Sequence, residues 1–128
     1  MPSPEFQQLA KDFVAHCREG QEREGLKIFY AEDAVSVEAM APPGEDREKH
    51  GLAAIEGKHD WWESAMEVIE GSVEGPFFNA PDVFAVYFTL KAKEKASGNV
   101  MDMQEVGLYH VKDGKIVREE FFYGLEPM

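Results

Sequence analysis

The stretch that decides the fold runs Glu105-Val-Gly-Leu-Tyr-His-Val-Lys-Asp-Gly-Lys-Ile-Val-Arg-Glu-Glu-Phe-Phe-Tyr123. Two runs of β-branched and aromatic residues flank the tight-turn signal Lys112-Asp113-Gly114-Lys115, a pattern that predicts a β-hairpin. Glu105, Glu119 and Glu120 interrupt strands otherwise built of Val, Ile, Phe and Tyr. Side chains alternate between the faces of a strand, so one of Glu119 and Glu120 must point to the buried side of a sheet that has one. A carboxylate in a dry sheet face is costly unless it is paired or used. The hairpin therefore points to a fold with a concave, partly polar interior.

Working outward, Ser3-Pro4-Glu5 reads as a helix start: a capping hydroxyl, a proline at the first helical position and an acid in the first turn. Phe6, Leu9, Phe13 and Cys17 then recur at helical spacing, and the helix ends near Gly20. A short second helix spans about Glu22 to Tyr30, with Leu26, Phe29 and Tyr30 on its buried side. Ala34 to Met40 alternates like a strand, with Val35 and Val37 on one face and Ser36, Glu38 and Met40 on the other. Ala41-Pro-Pro-Gly-Glu-Asp-Arg-Glu-Lys49 reads as a polar loop. A third helix begins at Gly51, and Ile55, His59, Trp62 and Met66 share one of its faces. Strands follow at about Val68–Phe78, Val83–Lys95, Val100–Lys112 and Lys115–Tyr123. Helices first and hairpin-joined strands last make an α+β domain: three helices over a curved, mostly antiparallel sheet, with a cone-shaped interior.

The composition fits that picture. A chain of 128 residues suits one domain spanning 1–128, and one of this size buries about two thirds of its unfolded surface. Fifteen aromatics, nine Phe, four Tyr and two Trp, exceed the needs of a minimal core, and the surplus could line a cavity. The net charge is −12, with 25 acidic against 13 basic residues and no basic stripe, which argues against nucleic acid as a partner. The plain reading of the acidity is solubility. Cys17 is the single cysteine, so no intrachain disulfide can form; without an electropositive surrounding it reads as a structural thiol. No apolar run approaches the ~20 residues that span a bilayer, and no signal peptide is visible, so the expected location is cytoplasmic.

The element order, together with Tyr30-Ala-Glu-Asp-Ala-Val, Gly51-Leu-Ala-Ala-Ile55 and Asp113-Gly-Lys-Ile-Val-Arg118, resembles the nuclear transport factor 2-like superfamily, and within it the SnoaL-like group. The resemblance covers nearly the whole chain. It implies a cystatin-like α+β barrel with a conical pocket between the third helix and the sheet. It also implies which residues face inward: Val117, Glu119, Phe121 and Tyr123 on the last strand, Met103, Glu105 and Gly107 on the one before, and Phe88 and Leu90 before that. Glu120 would face outward. The ketosteroid isomerases of the superfamily place a proton-abstracting carboxylate where Glu38 stands, and a second acid near Glu105. Their oxyanion-binding tyrosine has no counterpart, since Phe13-Val14 occupies that region. The Asp-Arg-Asp set of the epoxide hydrolases is also missing, with Phe88, Leu90 and Phe121 in its place. Both of those specific reactions are disfavoured.

Each candidate has a bland counterpart. Glu38 as general base relies on an apolar cavity raising its pKa; otherwise it is a rim residue in solvent. Glu105 and Glu119 on adjacent strands could share a proton, or pair with basic residues on an outward face. His59 could act with a facing carboxylate near neutral pH, or be a hydrogen-bonded core histidine. Trp62 lies on the inward stripe while Trp61 packs at an edge or a dimer interface; both could equally be core. Met40, Met66, Met101 and Met103 could form an adaptable lining or simply fill gaps. Met40, Trp62, Met66, Phe88, Leu90, Met103, Phe121 and Tyr123 make up the expected ligand-binding set. No spacing motif supports a metal site, and no cofactor is implied.

The expected function is binding of a hydrophobic or aromatic small molecule. Any catalysis would be cofactor-independent acid–base chemistry: isomerisation, cyclisation or dehydration, with Glu38 as base and Glu105, Glu119 and His59 as partners. A non-catalytic binding or interaction module is the alternative. The resemblance and the open sheet face suggest a homodimer.

Overall fold

In the computed structural model, which describes residues 2–79 and 81–123, the Ser3 hydroxyl accepts from the Phe6 amide at 3.1 Å and closes the start of α1 (Pro4–Arg18). That helix buries Phe6, Ala10, Phe13, Val14 and Cys17, the expected stripe, with Leu9 packed at its margin. α2 (Glu22–Phe29) buries Leu26 and Phe29 and runs directly into β1 (Tyr30–Val37). The first strand thus begins at Tyr30, four residues earlier than its alternation suggests. Then come β2 (Glu48–His50), α3 (Leu52–Ala65), β3 (Met66–Asn79), β4 (Val83–Glu94), β5 (Val100–Lys112) and β6 (Lys115–Phe122). β2 is an addition: within the stretch read as loop, Glu48, Lys49 and His50 pair antiparallel with Val37, Ser36 and Val35. Three polar residues carry no strand signature of their own, and β1's free edge recruits them.

The strand order is β2-β1-β6-β5-β4-β3. All neighbours are antiparallel except β1 and β6, which run parallel, so the sheet is mixed, and it is curved and unclosed. The β5–β6 turn has Asp113 at φ 52° and Gly114 at φ 75°, the two positive values of a type I′ turn, whose twist matches that of the flanking strands. Gly75-Pro76 falls in a register shift between Glu74 and Phe77, a place where a residue without an N–H can sit in a strand.

One inward assignment is corrected by a bulge. His110 opposes Arg118, but Val111 opposes Ile116, so Val117 is an extra residue in β6. Ile116, fully buried, takes the core position that simple alternation gives to Val117. Beyond the bulge the expected parity holds through Glu119 and Phe121.

The helices pack on one face of the sheet. Phe13 of α1 lies 4.7 Å from the Tyr109 ring and 5.8 Å from that of Phe84, and Phe84 stacks on Tyr109 at 5.1 Å. Leu26, Phe29 and Ile55 from the other two helices join the same cluster. Burial of each such side chain is worth about 2 kcal/mol, and edge and stacked ring geometries add to it.

Candidate active site on the inner face of the sheet

Directly opposed residues in a sheet share a face, so the register orders the inner face into rows. The first row is Ser36–Glu119–Tyr109–Phe84. The second is Phe121–Gly107–Val86, the third Glu105–Phe88–Val73, the fourth Met103–Leu90–Gly71, and the fifth Met101–Ala92–Val68. The first rows are core. By the fifth, Met101 is 39% and Val68 53% exposed, and Leu90 and Met103 between them are half-buried. The inner face therefore passes from a packed end, through a row holding a carboxyl, to an open apolar platform.

Glu119, 4% exposed, is the inward member of the Glu119–Glu120 pair. It accepts from Ser36 Oγ through Oε2 at 2.6 Å and from the Tyr30 hydroxyl through Oε1. Burial pushes its pKa up, while the two hydroxyl donors and the Lys58 ammonium pull it back. The cone expected to be hollow at this point is filled by Tyr30, Tyr109 and Phe13.

Lys58 ties this buried end to the rim. Its Nζ donates to Ser36 Oγ at 2.6 Å, pairs with Glu38 Oε1 at 2.5 Å and stands 5.1 Å from the centre of the Phe121 ring. Glu38 accepts in turn from the Tyr123 hydroxyl at 3.1 Å. A continuous chain of polar contacts thus runs Tyr30–Glu119–Ser36–Lys58–Glu38–Tyr123. Lys58, Ser36 and Tyr30 were not singled out from the sequence as site residues. The signal for Lys58 was present: it lies three residues after Ile55 and four before Trp62, on the inward stripe.

Glu105 stands apart from that chain. Its carboxyl is pushed up to about 7, first by burial and then by the negative charge of Glu38; Lys58 opposes the shift and Glu119 adds to it. Glu105 and Glu119 are not opposed across β5 and β6. Glu119 faces Tyr109 and Glu105 faces Phe88, four residues further along the strand, about 13 Å at strand rise. They influence each other through the field and do not share a proton directly.

The remaining candidates separate. His59 is half-buried, and its pKa is lowered by burial and by Lys58 and Arg23, so it favours the neutral form. No hydrogen bond joins it to a carboxylate among the described residues. Its neighbour Asp60 and Glu63 instead hold Arg23, at 2.5 and 3.1 Å, which pins α3 to α2. Trp62 is half-buried and Trp61 is 64% exposed, as their angular separation implies. Met66 is buried where β3 starts and Met40 is exposed beyond the end of β1, so neither joins the platform. Burial pushes the Cys17 thiol up, consistent with a structural role. Two open clefts, of about 680 and 490 Å³, lie at the loop around Arg47 and at the end of β6; Phe121 and Tyr123 line the second. Among the described residues there is no cluster of three or more potential metal ligands, and no helix is long and apolar enough to cross a membrane.

A family model described as the SnoaL-like domain matches residues 5–123. A structure from Mesorhizobium loti, described provisionally as a SnoaL-like polyketide cyclase [carbohydrate phosphatase], is 41% identical, covers 91% of this chain and 97% of its own, and has a TM-score of 0.84. A Jannaschia protein described provisionally as a SnoaL-like polyketide cyclase is 16% identical over 96% of this chain and 90% of its own, at a TM-score of 0.75. A protein from Catenulispora acidiphila with a ketosteroid isomerase-like fold, in complex with trimethylamine, is 16% identical over 96% and 88%, at 0.69. The last two share the fold. No curated protein matches the chain.

Proposed function

The chain belongs to the SnoaL-like family, and from that premise we propose that it binds a hydrophobic or aromatic, carbonyl-bearing small molecule on the inner face of its sheet and performs cofactor-independent acid–base chemistry on it. The reaction class is isomerisation, cyclisation or dehydration through an enolate-like intermediate. The observation that carries this reading is Glu105, a carboxyl held near pH 7 where the packed end of the inner face meets the apolar platform of Phe88, Leu90 and Met103. A general acid–base works best with a pKa near the working pH. Sequence reasoning gives the base role to Glu38. Glu38 is instead held by the Lys58 ammonium and the Tyr123 hydroxyl, and its negative charge helps to push Glu105 up.

The test is hydrogen–deuterium exchange at the carbon next to the carbonyl of 2-tetralone in D2O, followed by NMR. Acceleration that appears as pH rises through about 7 and is lost in Glu105→Gln supports the reading. Binding of aromatic ligands without acceleration favours the second reading, a non-catalytic binding module. The observation on that side is that Glu38 and Glu119 are both fully engaged with protein donors.

The same proposal includes a cytoplasmic homodimer built on the outer sheet face, which no helix covers. There Tyr87, Val106 and Phe122 form one cross-strand row and Phe77, Ala85 and Leu108 the next, with Phe77 57% and Phe122 50% exposed. A monomer at high concentration in light scattering would overturn the dimer.

A further inference from the structure

The inner face is short of positive charge. Its carboxyls are Glu38, Glu105 and Glu119, and Lys58 is the one ammonium that contacts any of them among the described residues. That ammonium is engaged by Glu38 at 2.5 Å and by Ser36 at 2.6 Å. The strands add no cation: Lys91, Lys93, His110 and Arg118 each neighbour an inward residue along the chain and so point to the other face. Of the helical cations, Arg23 is held by Asp60 and Glu63. Arg18 donates to the Val73 carbonyl on the edge strand, two strands from Glu105, about 10 Å at sheet spacing. His59 favours the neutral form. Glu105 is the acid left over. It forms no hydrogen bond or ion pair among the described residues. No described side-chain oxygen is both sealed from solvent and unbonded, so the half-buried Glu105 carboxyl reaches open space. Phe88 opposes it across β4, and Leu90 and Met103 form the next row.

An enolate forming on this face adds a negative charge in the field of Glu38 and Glu119, and like charges in a half-buried site raise one another's energy. A ligand that carries its own positive charge removes that cost and gives Glu105 a counter-ion. We propose that the ligand of the inner face is a cation, a protonated or quaternary amine, whose nitrogen sits against the Glu105 carboxylate while its apolar frame lies on Phe88, Leu90 and Met103. This inference rests on the small-molecule reading of the same face and names the charge of the molecule. Phe88, on the same row as Glu105, gives the nitrogen an aromatic neighbour as well as a carboxylate. In the reaction, Glu105 takes a proton from the carbon next to the carbonyl, and the electron pair of that C–H bond moves onto the carbonyl oxygen. The resulting enolate is neutral overall, because the nitrogen keeps its positive charge. An anionic ligand is turned away by the same three carboxyls.

The experiment is calorimetric titration of three naphthalenes of one frame and different charge: the amine 2-(aminomethyl)naphthalene, the alcohol 2-naphthalenemethanol and the acid 2-naphthoate. Each is titrated at about pH 7 into the wild-type chain and Glu105→Gln, in two buffers of different ionisation enthalpy, so that protons released or taken up on binding are counted. The expected result is that the amine binds wild type about tenfold or more tighter than the alcohol, with the acid weakest. Its binding should release protons, because a cation favours the ionised Glu105, whereas a neutral frame that buries the carboxyl drives proton uptake. In Glu105→Gln both the preference for the amine and the proton release should disappear. Equal binding of amine and alcohol to wild type, or tighter binding of the acid, overturns the cation and leaves the small-molecule reading standing. A preference that persists undiminished in Glu105→Gln also overturns it, since the attraction would then come from the net charge of −12 and not from this carboxylate. No binding of any of the three overturns both readings.

Discussion

Ser36 and Glu119 face each other across the parallel pairing of β1 and β6, and the Ser36 hydroxyl is held from both sides: it donates to Glu119 Oε2 at 2.6 Å and accepts from Lys58 Nζ at 2.6 Å. A single hydroxyl thereby joins a fully buried acid to a half-buried ammonium.

Truncation of the buried acid should be severe. Glu119→Ala leaves the hydroxyls of Tyr30 and Ser36 without their acceptor in a dry site, and we expect a loss of about 2–4 kcal/mol by chemical denaturation. Glu119→Gln keeps one carbonyl acceptor and should cost less than half as much. Equal losses in the two variants would show that the hydrogen bonds carry little of the effect.

The stability of the protein should depend on the titration of Glu105. Its folded-state pKa is raised from 4.5 to about 7, so the folded state binds the proton more tightly than the unfolded one. The resulting stabilisation is complete below about pH 4.5 and is lost as pH rises through about 7, a change of about 2–3 kcal/mol at most. Glu105→Gln removes this dependence, so the variant should gain on the wild type between pH 5 and 8. Parallel stability curves for the two chains would rule the shift out.

Lys58→Met should raise the apparent pKa of Glu105 further, because the ammonium is a lowering influence on it. The carboxyl carbon of Glu105, followed by NMR across pH, reads this directly. The variant should also lose about 1–2 kcal/mol of stability, since Glu38 and Ser36 each lose a partner in a partly exposed site. An unmoved Glu105 titration would mean that Lys58 exerts no field there.

Gly107→Ala should destabilise by about 1–3 kcal/mol, because the new methyl meets the Tyr109 ring tip at 2.6 Å and Phe84 and Phe13 block its retreat. Tyr109→Leu in the same chain shortens the side chain and should recover part of the loss. The double-mutant cycle measures the coupling.

The fold was legible because its signals are local. Ser3-Pro4-Glu5 places a helix start, Asp113-Gly114 fixes a hairpin turn, and alternation turns one of Glu119 and Glu120 inward, the choice of Glu119 coming from the family resemblance. The site was less legible because its geometry depends on register. The one-residue bulge at Val117 has no sequence mark, and it moved Ile116 into the core. Glu105 and Glu119 look like opposed partners in a list of strand residues, whereas the pairing sets them four residues apart. Lys58 was passed over because a lysine on a helix ordinarily faces water, and only the nearby Glu38 and Ser36 give it an inward role.

The parallel pairing of β1 with β6 also bears on how the chain acquires its structure. The partners of Glu119 lie 83 and 89 residues earlier, in the first third of the molecule. During synthesis, Tyr30 and Ser36 emerge long before the strand that completes them, and β1 waits with one edge open. β6, made after the other described strands, therefore closes the seam between β1 and β5 and brings Glu119 to the hydroxyls of Tyr30 and Ser36 in the same event. A chain halted before β6 would hold Ser36, Glu38, Lys58 and Glu105 without Glu119, and the open edge of β1 would be the surface for a chaperone, or another unfinished copy, to meet first.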